Sequence, residues 1–353
     1  MGSSYPTLTT LPLPSPDKCG WPWNEATPPL PSFMPDGAAW PRISVITPTY
    51  NQGHYIEETI RSVLLQGYPN LEYIIIDGGS TDNTLDIIRR YDPWITYWVS
   101  EPDRGQAHAI NKGFERATGD LVGWINSDDS LLPNAAGHIG EAFRQHPQTL
   151  LLGEVIGFNE TYGFSRLIRQ SNVSLERFLE PWRYDGYTYL HQLGAYIPSD
   201  LNRQVGPLDE SLRYTFDWDW LCRLLRLAPV HYLRVPVAQF RFHTESKTVG
   251  EAEKWLPEKL AVVERYGQYV EGFDRNLALA ALELEHAGLY LHLQDWHRSK
   301  GLQYLFKAVS RDWRTVTLPG FKATCLRAIT PVFLLQWVRT MHHKYLRLNS
   351  SVS

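Results

Sequence analysis

Two neighbouring carboxylates, Asp128 and Asp129, follow directly on an apolar run at residues 121–125. Side by side, such groups repel unless something cationic joins them. A hard divalent ion such as Mg²⁺ or Mn²⁺ suits oxygen donors and keeps waters and substrate phosphates as its other ligands. The bland alternative is a solvated turn with an incidental acid pair. A second group is Asp77-Gly-Gly-Ser-Thr-Asp82. Its glycines let the chain turn sharply and let a ligand come close. Asp82 or Thr81 is placed to cap the helix that follows. Asp77 is harder to read as a cap and is placed to accept from a base N–H or a ribose hydroxyl. In the third group His108 and Lys112 stand four apart and share a helix face. Lys112, with Arg104, suits phosphate charge or else a solvated face. Asp217 and Asp219 open an amphipathic helix. There they complement the helix dipole, or one of them, facing a cleft, acts as a general base. His243, after a β-rich run, suits a metal or phosphate contact or a structural role.

The elements that must position these groups alternate. Short apolar strands are predicted at residues 43–47, 71–76, 95–99 and 121–125, with helices at 55–65, 83–91 and 106–117 between them. That alternation predicts an α/β fold built on a mostly parallel sheet covered on both faces. Ligands of such sheets sit beyond the carboxyl ends of the strands, where all three polar clusters fall. Residues 150–242 are less regular, with short strands at 150–156, 193–197 and 231–235 and a helix at 217–227. Beyond Glu251 the pattern is all-helical. Residues 277–309 read as two antiparallel helices with Ala280, Ala281, Ala287, Gly288, Gly301 and Ala308 at the crossing. Three regions result: a Pro-rich arm at 1–41, a core at 42–248 and a helical annex at 249–353. The arm holds ten of the 24 prolines, so it is expected to be extended. Trp21, Trp23, Phe33 and Trp40 are expected to pin it to the body.

Apolar residues make up 43% of the 353 and charged residues 20%, which excludes global disorder. A net charge of −4 argues against a whole-protein nucleic-acid binder. The charge is uneven: residues 297–353 carry ten Lys/Arg against the single acid Asp312. Apolar and basic residues mix at 321–348, as in a helix lying on an anionic membrane surface. Packing on the protein core or on a second copy in a homo-oligomer is the alternative. Cys19, Cys222 and Cys325 are too scattered for a disulfide framework or a zinc site, so a reducing, cytoplasmic setting is expected. No secretory signal and no membrane-spanning helix are expected.

Taken together, Ser44-Val-Ile-Thr-Pro-Thr-Tyr-Asn-Gln52, Asp77-Gly-Gly-Ser-Thr-Asp-Asn-Thr84, Gly119 to Asp129 (GDLVGWINSDD) and Asp217-Trp-Asp-Trp-Leu resemble the family-2 glycosyltransferases of bacteria. The resemblance covers about residues 43–248 and implies the GT-A fold, a nucleotide-binding sheet flanked by helices. It implies that Thr47, Pro48, Tyr50 and Asp77 line the base and ribose. The family's acidic metal motif falls on Asn126, Ser127 and Asp128, with Asp129 following and Asn replacing the first acid. The family's Glu-Asp pair falls on Phe216-Asp217, leaving Asp217 as the base. His243 matches a position that approaches the metal or diphosphate. The implied reaction is an inverting displacement with Mg²⁺ or Mn²⁺. The donor is a nucleoside-diphosphate sugar, UDP favoured over GDP or dTDP, and the acceptor is a hydroxyl of a polysaccharide or glycolipid. Trp182, Tyr184, Tyr187, Tyr189 and His191 offer an acceptor wall, or else a packed surface loop.

Two other readings stand beside this one. A sugar nucleotidyltransferase would need a basic, Gly-rich phosphate loop, and residues 47–53 contain no Lys or Arg. A non-catalytic carbohydrate- or partner-binding protein on a transferase core is kept alive by Asn126 and by Phe216 where the family has Glu.

Overall fold

The computed structural model describes residues 6–159, 163–184, 190–243, 246–247, 251, 254–293 and 298–330. The chain divides into two compact units, residues 1–157, 166–173 and 189–241, and residues 158–165, 174–188 and 242–353.

The first unit is built as the alternation demands. Strand β1 (Ile43–Thr49), buried at every residue, leads to helix α1 (Ile56–Leu64), whose Ile56, Ile60, Val63 and Leu64 all face inward. Next come β2 (Leu71–Asp77), α2 (Thr84–Tyr91), β3 (Tyr97–Ser100), α3 (Gln106–Arg116) and β4 (Leu121–Trp124). The order β3-β2-β1-β4 is parallel throughout. Apolar runs with no alternation fit strands buried on both faces. Parallel register sets Thr49 beside Asp77, and Asp77 beside Ser100, at the carboxyl ends.

Beyond β4 the sheet turns antiparallel. It continues through β5 (Ser130–Leu131), α4 (Ala135–Gln145), β6 (Leu150–Asn159), β7 (Phe164–Ile168) and α5 (Leu175–Leu179). Then follow β8 (Ala195–Pro198), α6 (Ser199–Val205), α7 (Phe216–Leu227) and β9 (Val230–Arg241). The full order is β3-β2-β1-β4-β8-β6-β9-β5, with β7 on β6. The mixed α/β architecture matches expectation. Strand β9 runs to Arg241, past the 231–235 predicted from its apolar residues, because ladder pairing with β5 extends it.

Three of the four arm aromatics are anchored. Trp21 donates to the Leu131 carbonyl at 2.7 Å and Trp40 to that of Pro31 at 2.8 Å, while Trp23 is buried. Phe33 is 62% exposed, since its backbone bridges locally to Ala39 and leaves the ring outside. The arm is gripped from within by Arg61, fully buried on α1. Its guanidinium donates to the carbonyls of Pro22, Trp23 and Pro12 at 3.0, 2.8 and 2.8 Å. A buried cation is tolerable here because it is surrounded by acceptors.

In the second unit, helices Arg275–Leu293 and Arg298–Arg311 pack as the expected pair. A Cβ on Gly301 would come within 2.7 Å of the Leu291 side chain, so the small residue allows the close approach. Ala280, Ala287 and Ala308 are wholly buried, and Arg311 clasps Glu283 in a two-pronged pair at 2.9 and 3.1 Å. Gly288 lies toward Thr324 of the helix Phe321–Ile329. Of the basic tail, residues 331–348 lie outside the described residues.

Candidate active site

The loops after β1 and β2 are fastened to each other. The Asn51 N–H donates to Ser80 Oγ at 2.7 Å, and Asn51 Oδ1 accepts from the Thr81 N–H at 2.8 Å. Gln52 N–H reaches Thr84 Oγ1 at 2.9 Å and Gly53 N–H reaches Asp82 Oδ2 at 2.9 Å. Asn51 adopts φ 51°, a left-handed conformation that asparagine tolerates. Asp82 also accepts from the Thr84 N–H, as a cap should. Burial opposes its charge, but these hydrogen bonds prevail and hold its pKa below the usual carboxylate range.

Asp77 is wholly buried and organises its own turn. It accepts from the N–H groups of Gly79 and Ser80 at 3.0 and 2.9 Å, and from the hydroxyls of Ser80 and Ser100 at 2.5 and 2.6 Å. Three of the four bonds fall on Oδ2 and one on Oδ1. Thr47 is also buried, its hydroxyl 3.1 Å from that of Tyr73. Pro48 is buried, whereas Tyr50 is 59% exposed at the loop. Sequence reasoning missed two neighbours. The hydroxyl of Thr49 and the amide oxygen of Gln52 are buried with no hydrogen-bond partner among the described residues. Their only signal was their place on either side of Tyr50-Asn51.

The loop after β4 carries the acid pair, and its two carboxylates face different surroundings. Asp129 is 2% exposed. Its Oδ1 accepts from the Arg241 main-chain N–H and its Oδ2 from the Asn126 amide, both at 3.0 Å. Burial, and after it the Asp128 charge, pushes the Asp129 pKa well above the usual carboxylate range. Asp128 is only half-buried. Asn126 Oδ1 accepts from Gln106 Nε2 at 2.8 Å, and Ser127 is buried. Helix α1 holds the loop along one face. Thr59 Oγ1 donates to the Asp129 carbonyl at 2.6 Å, and Ser62 Oγ accepts from the Leu131 N–H at 3.0 Å. Gln66 Nε2 donates to the Leu132 carbonyl at 2.9 Å. From the other side, Gln192 Nε2 donates to the Trp124 carbonyl at 2.6 Å.

Helix α7 is locked to this strand by aromatic packing. Trp220 lies edge-on to Trp124 at 4.9 Å and stacks on Phe114 of α3 at 6.3 Å. Asp219 is buried and pairs with Arg223 at 2.9 Å, so its charge serves the helix. Asp217 is half-buried in the first turn, where Oδ1 accepts from the Trp218 N–H at 2.9 Å. Lys112 pairs with Glu101 at 2.5 Å and Arg104 with Glu210 at 2.6 Å. Both cations thus meet protein carboxylates. Hydrogen bonding and charge from Lys112 lower the Glu101 pKa. His243 belongs to the second unit, as do Trp182 and Tyr184. His191 belongs to the first, and its ring lies edge-on to Phe240 at 4.8 Å. Tyr187 and Tyr189 lie outside the described residues.

Among the described residues no three His, Cys, Asp or Glu side chains cluster as a ready-made cation cage. The donor set fits Mg²⁺ or Mn²⁺ in another way. The half-buried carboxylate of Asp128 opens a shell of hard oxygen ligands, while the amide of Asn126 is engaged by Gln106 and Asp129. Such ions complete that shell with waters and substrate phosphates.

The family model described as glycosyl transferase family 2 matches residues 44–202. The uncharacterized glycosyltransferase RT0329 of Rickettsia typhi is 30% identical over 230 residues, 62% of this chain and 69% of that protein. Two further Rickettsia relatives are much longer, and the chain spans 35% and 34% of them. The putative teichuronic acid biosynthesis glycosyltransferase TuaG of Bacillus subtilis is 48% identical over 92 residues, 25% of this chain and 36% of that protein. Among solved structures, residues 1–349 of S. aureus TarS in complex with UDP-GlcNAc superpose with a TM-score of 0.55 at 19% identity. That likeness covers 82% of this chain and 88% of that one, and it concerns the fold.

Proposed function

The chain belongs to glycosyl transferase family 2, and from that premise we propose that it moves a sugar from a nucleoside-diphosphate donor, UDP first, to a hydroxyl acceptor, with inversion. The acceptor class is a growing polysaccharide or glycolipid. The likeness to TuaG, named for teichuronic acid biosynthesis, supports that choice, and the likeness to TarS, solved with UDP-GlcNAc, supports the UDP donor. Residues 42–248 are taken as the transferase domain and 249–353 as its helical annex.

One observation carries the reading. Two half-buried aspartates, Asp128 and Asp217, are borne by a strand end and a helix start that Trp124 and Trp220 hold together. In the step proposed, the acceptor oxygen forms its bond to the anomeric carbon and gives its proton to Asp217. The bond from that carbon to the diphosphate oxygen breaks, and its electron pair leaves with the nucleoside diphosphate. Asp128 would hold Mg²⁺ or Mn²⁺, which when bound offsets the charge growing on the diphosphate. Asn126 keeps the loop in register, and Asp129 anchors it from beneath. Tyr50, with Thr47, Pro48 and Asp77 behind it, forms the end toward the base and ribose. Lys112 is assigned to the diphosphate side.

Incubation with UDP-, GDP- and dTDP-sugars and Mn²⁺ or Mg²⁺ tests this, with nucleotide release as the readout. Release from one nucleotide class is expected. No release from any, with a saccharide or lipid-linked acceptor present, would turn the reading toward a binding protein.

A second proposal concerns placement at the inner face of an anionic membrane. Among the described residues no helix is long and apolar enough to cross a membrane. Leu302, Phe306 and Trp313, four and seven apart, are 45%, 74% and 71% exposed, and Lys300 and Lys307 are exposed beside them. Leu302, Phe306 and the two lysines lie on the helix Arg298–Arg311 and Trp313 on the short turn after it, and exposed apolar residues beside basic ones suit a lipid surface.

A further inference from the structure

The proposed reaction leaves one buried cation beside the acid pair without a task. Arg241, the last residue of β9, is 4% exposed. Its main-chain N–H donates to Asp129 Oδ1, and its Nε donates to the Asp128 carbonyl, both at 3.0 Å. Its Nη2 meets Glu58 of α1 at 2.8 Å, and its guanidinium carbon lies 5.3 Å from the centre of the Tyr55 ring. Strand β9 pairs with β5 at Ser130↔Gln239, so it runs alongside the chain just after the acids.

This geometry needs arginine. A planar guanidinium sends N–H groups in several fixed directions at once, and a lysine ammonium is a point donor on a flexible stem. The charge is tolerable in the interior because Glu58 neutralises it. The bonds also hold the two peptide units on either side of Asp129. Arg241 fixes the carbonyl of Asp128 and the side chain of Asp129, while Thr59 fixes the carbonyl of Asp129. The Asp129 N–H donates to the Asn126 carbonyl at 3.1 Å, so both polar groups of the peptide after Asp128 are held, and the direction in which Asp128 leaves the chain is set before any ligand arrives. Such preorganisation matters most where charge develops.

We propose that Arg241 is a positioning residue for this site, aiming the Asp128 carboxylate without touching substrate. The inference rests on the reading that Asp128 serves the metal-bound diphosphate. Residues that orient a metal ligand alter metal affinity by about 10–100-fold when removed.

The test is calorimetric titration of UDP and of GDP, each with Mn²⁺ and with EDTA, into the wild-type chain, Arg241→Lys and Thr59→Val. Melting temperatures are recorded alongside. Arg241→Lys is expected to weaken the Mn²⁺-dependent binding about tenfold or more and to leave binding in EDTA unchanged. Thr59→Val, which removes one bond from the next peptide of the same loop, is expected to give a smaller loss of the same kind. Should Arg241→Lys fail to fold, Thr59→Val decides alone. Wild-type Mn²⁺-dependent affinity in the folded variants would overturn the proposal, and so would equal losses with and without metal. A wild-type chain that binds neither nucleotide with Mn²⁺ would instead sink the transferase reading, and this inference with it.

Discussion

The main-chain N–H of Arg241 lies 3.0 Å from Oδ1 of Asp129, while the Asn126 amide holds the other oxygen at the same distance. The second acid of the pair is therefore turned into the protein and its neighbour is not. Two residues that look alike in the sequence divide into an anchor and, on the reading proposed above, a ligand.

That division predicts opposite phenotypes. Asp128→Asn removes the carboxylate from a half-buried position, so the melting temperature should hold while transfer falls by a factor on the order of 10². Asp129→Asn places an NH₂ where only acceptors fit, against the Arg241 N–H or the Asn126 amide. Leaving a buried donor unmatched costs about 1–3 kcal/mol. Urea unfolding should show that loss for Asp129→Asn alone. Equal stability of the two variants would refute the assignment.

The acids on α7 separate in the same way. Asp217→Asn should keep the fold and the nucleotide affinity and lose transfer by about 10²–10⁴-fold, the usual contribution of a general base. Asp219→Asn removes the buried carboxylate from Arg223, whose guanidinium keeps the carbonyls of Val205, Gly206 and Pro207. Its cost should be about 1.5–3 kcal/mol of stability, that of a hydrogen bond to a charged group. Normal turnover by Asp217→Asn, measured as nucleotide release, would remove the base from the mechanism.

The parallel half of the sheet was readable because strands such as Ile43–Thr49 are continuous apolar runs between helical periods. The acid loop was readable as a place, since polar residues at a strand end have few structural reasons to be there. The roles inside it were not. Nothing local distinguishes Asp128 from Asp129, because the distinction comes from Arg241, 112 residues away from Asp129 in the chain. Asp77 shows the same limit. Its hydrogen bond with Ser100 depends on the register of β2 and β3, which periodicity does not encode. The buried cation Arg61 was invisible for a similar reason. Its acceptors are carbonyls of the arm, which carry no sequence signal.

Stability should depend on histidine protonation. Burial lowers the His191 pKa to about 4, and its Nδ1 has no hydrogen-bond partner among the described residues. Burial and then the His146 charge lower that of His231 as well. An unfolded histidine titrates near 6.5. Between about pH 6.5 and 4 the unfolded chain therefore binds more protons, and stability rises with pH. The His191 contribution is whole above pH 6.5 and is lost as pH falls through that window. Urea midpoints at pH 5 and 7 should differ, by at most about 1.4 kcal/mol per pH unit for one proton. His191→Gln should flatten the dependence, and an unchanged slope would clear His191 of it.

The annex makes the most exposed claim. Leu302, Phe306 and Trp313 would be poor residues to leave in water without a purpose, and Leu326 and Ile329 of the last described helix are 62% and 76% exposed. The surrounding charge selects among occupants. Residues 297–353 carry ten Lys/Arg against one acid, which suits an anionic lipid surface and disfavours self-association of the same region. Each basic residue near such a surface adds about 1 kcal/mol of attraction, screened by salt. Co-sedimentation with vesicles containing phosphatidylserine should therefore be strong at low salt, weak at high salt and absent with neutral vesicles. Removal of residues 321–353 should weaken it, and Phe306→Ser with Trp313→Ser should weaken it further, because hydrophobic insertion and charge contribute separately. Equal sedimentation of the truncated and full-length chains would show that the basic tail is not the attachment. Sedimentation indifferent to vesicle charge would remove the electrostatic half of the argument.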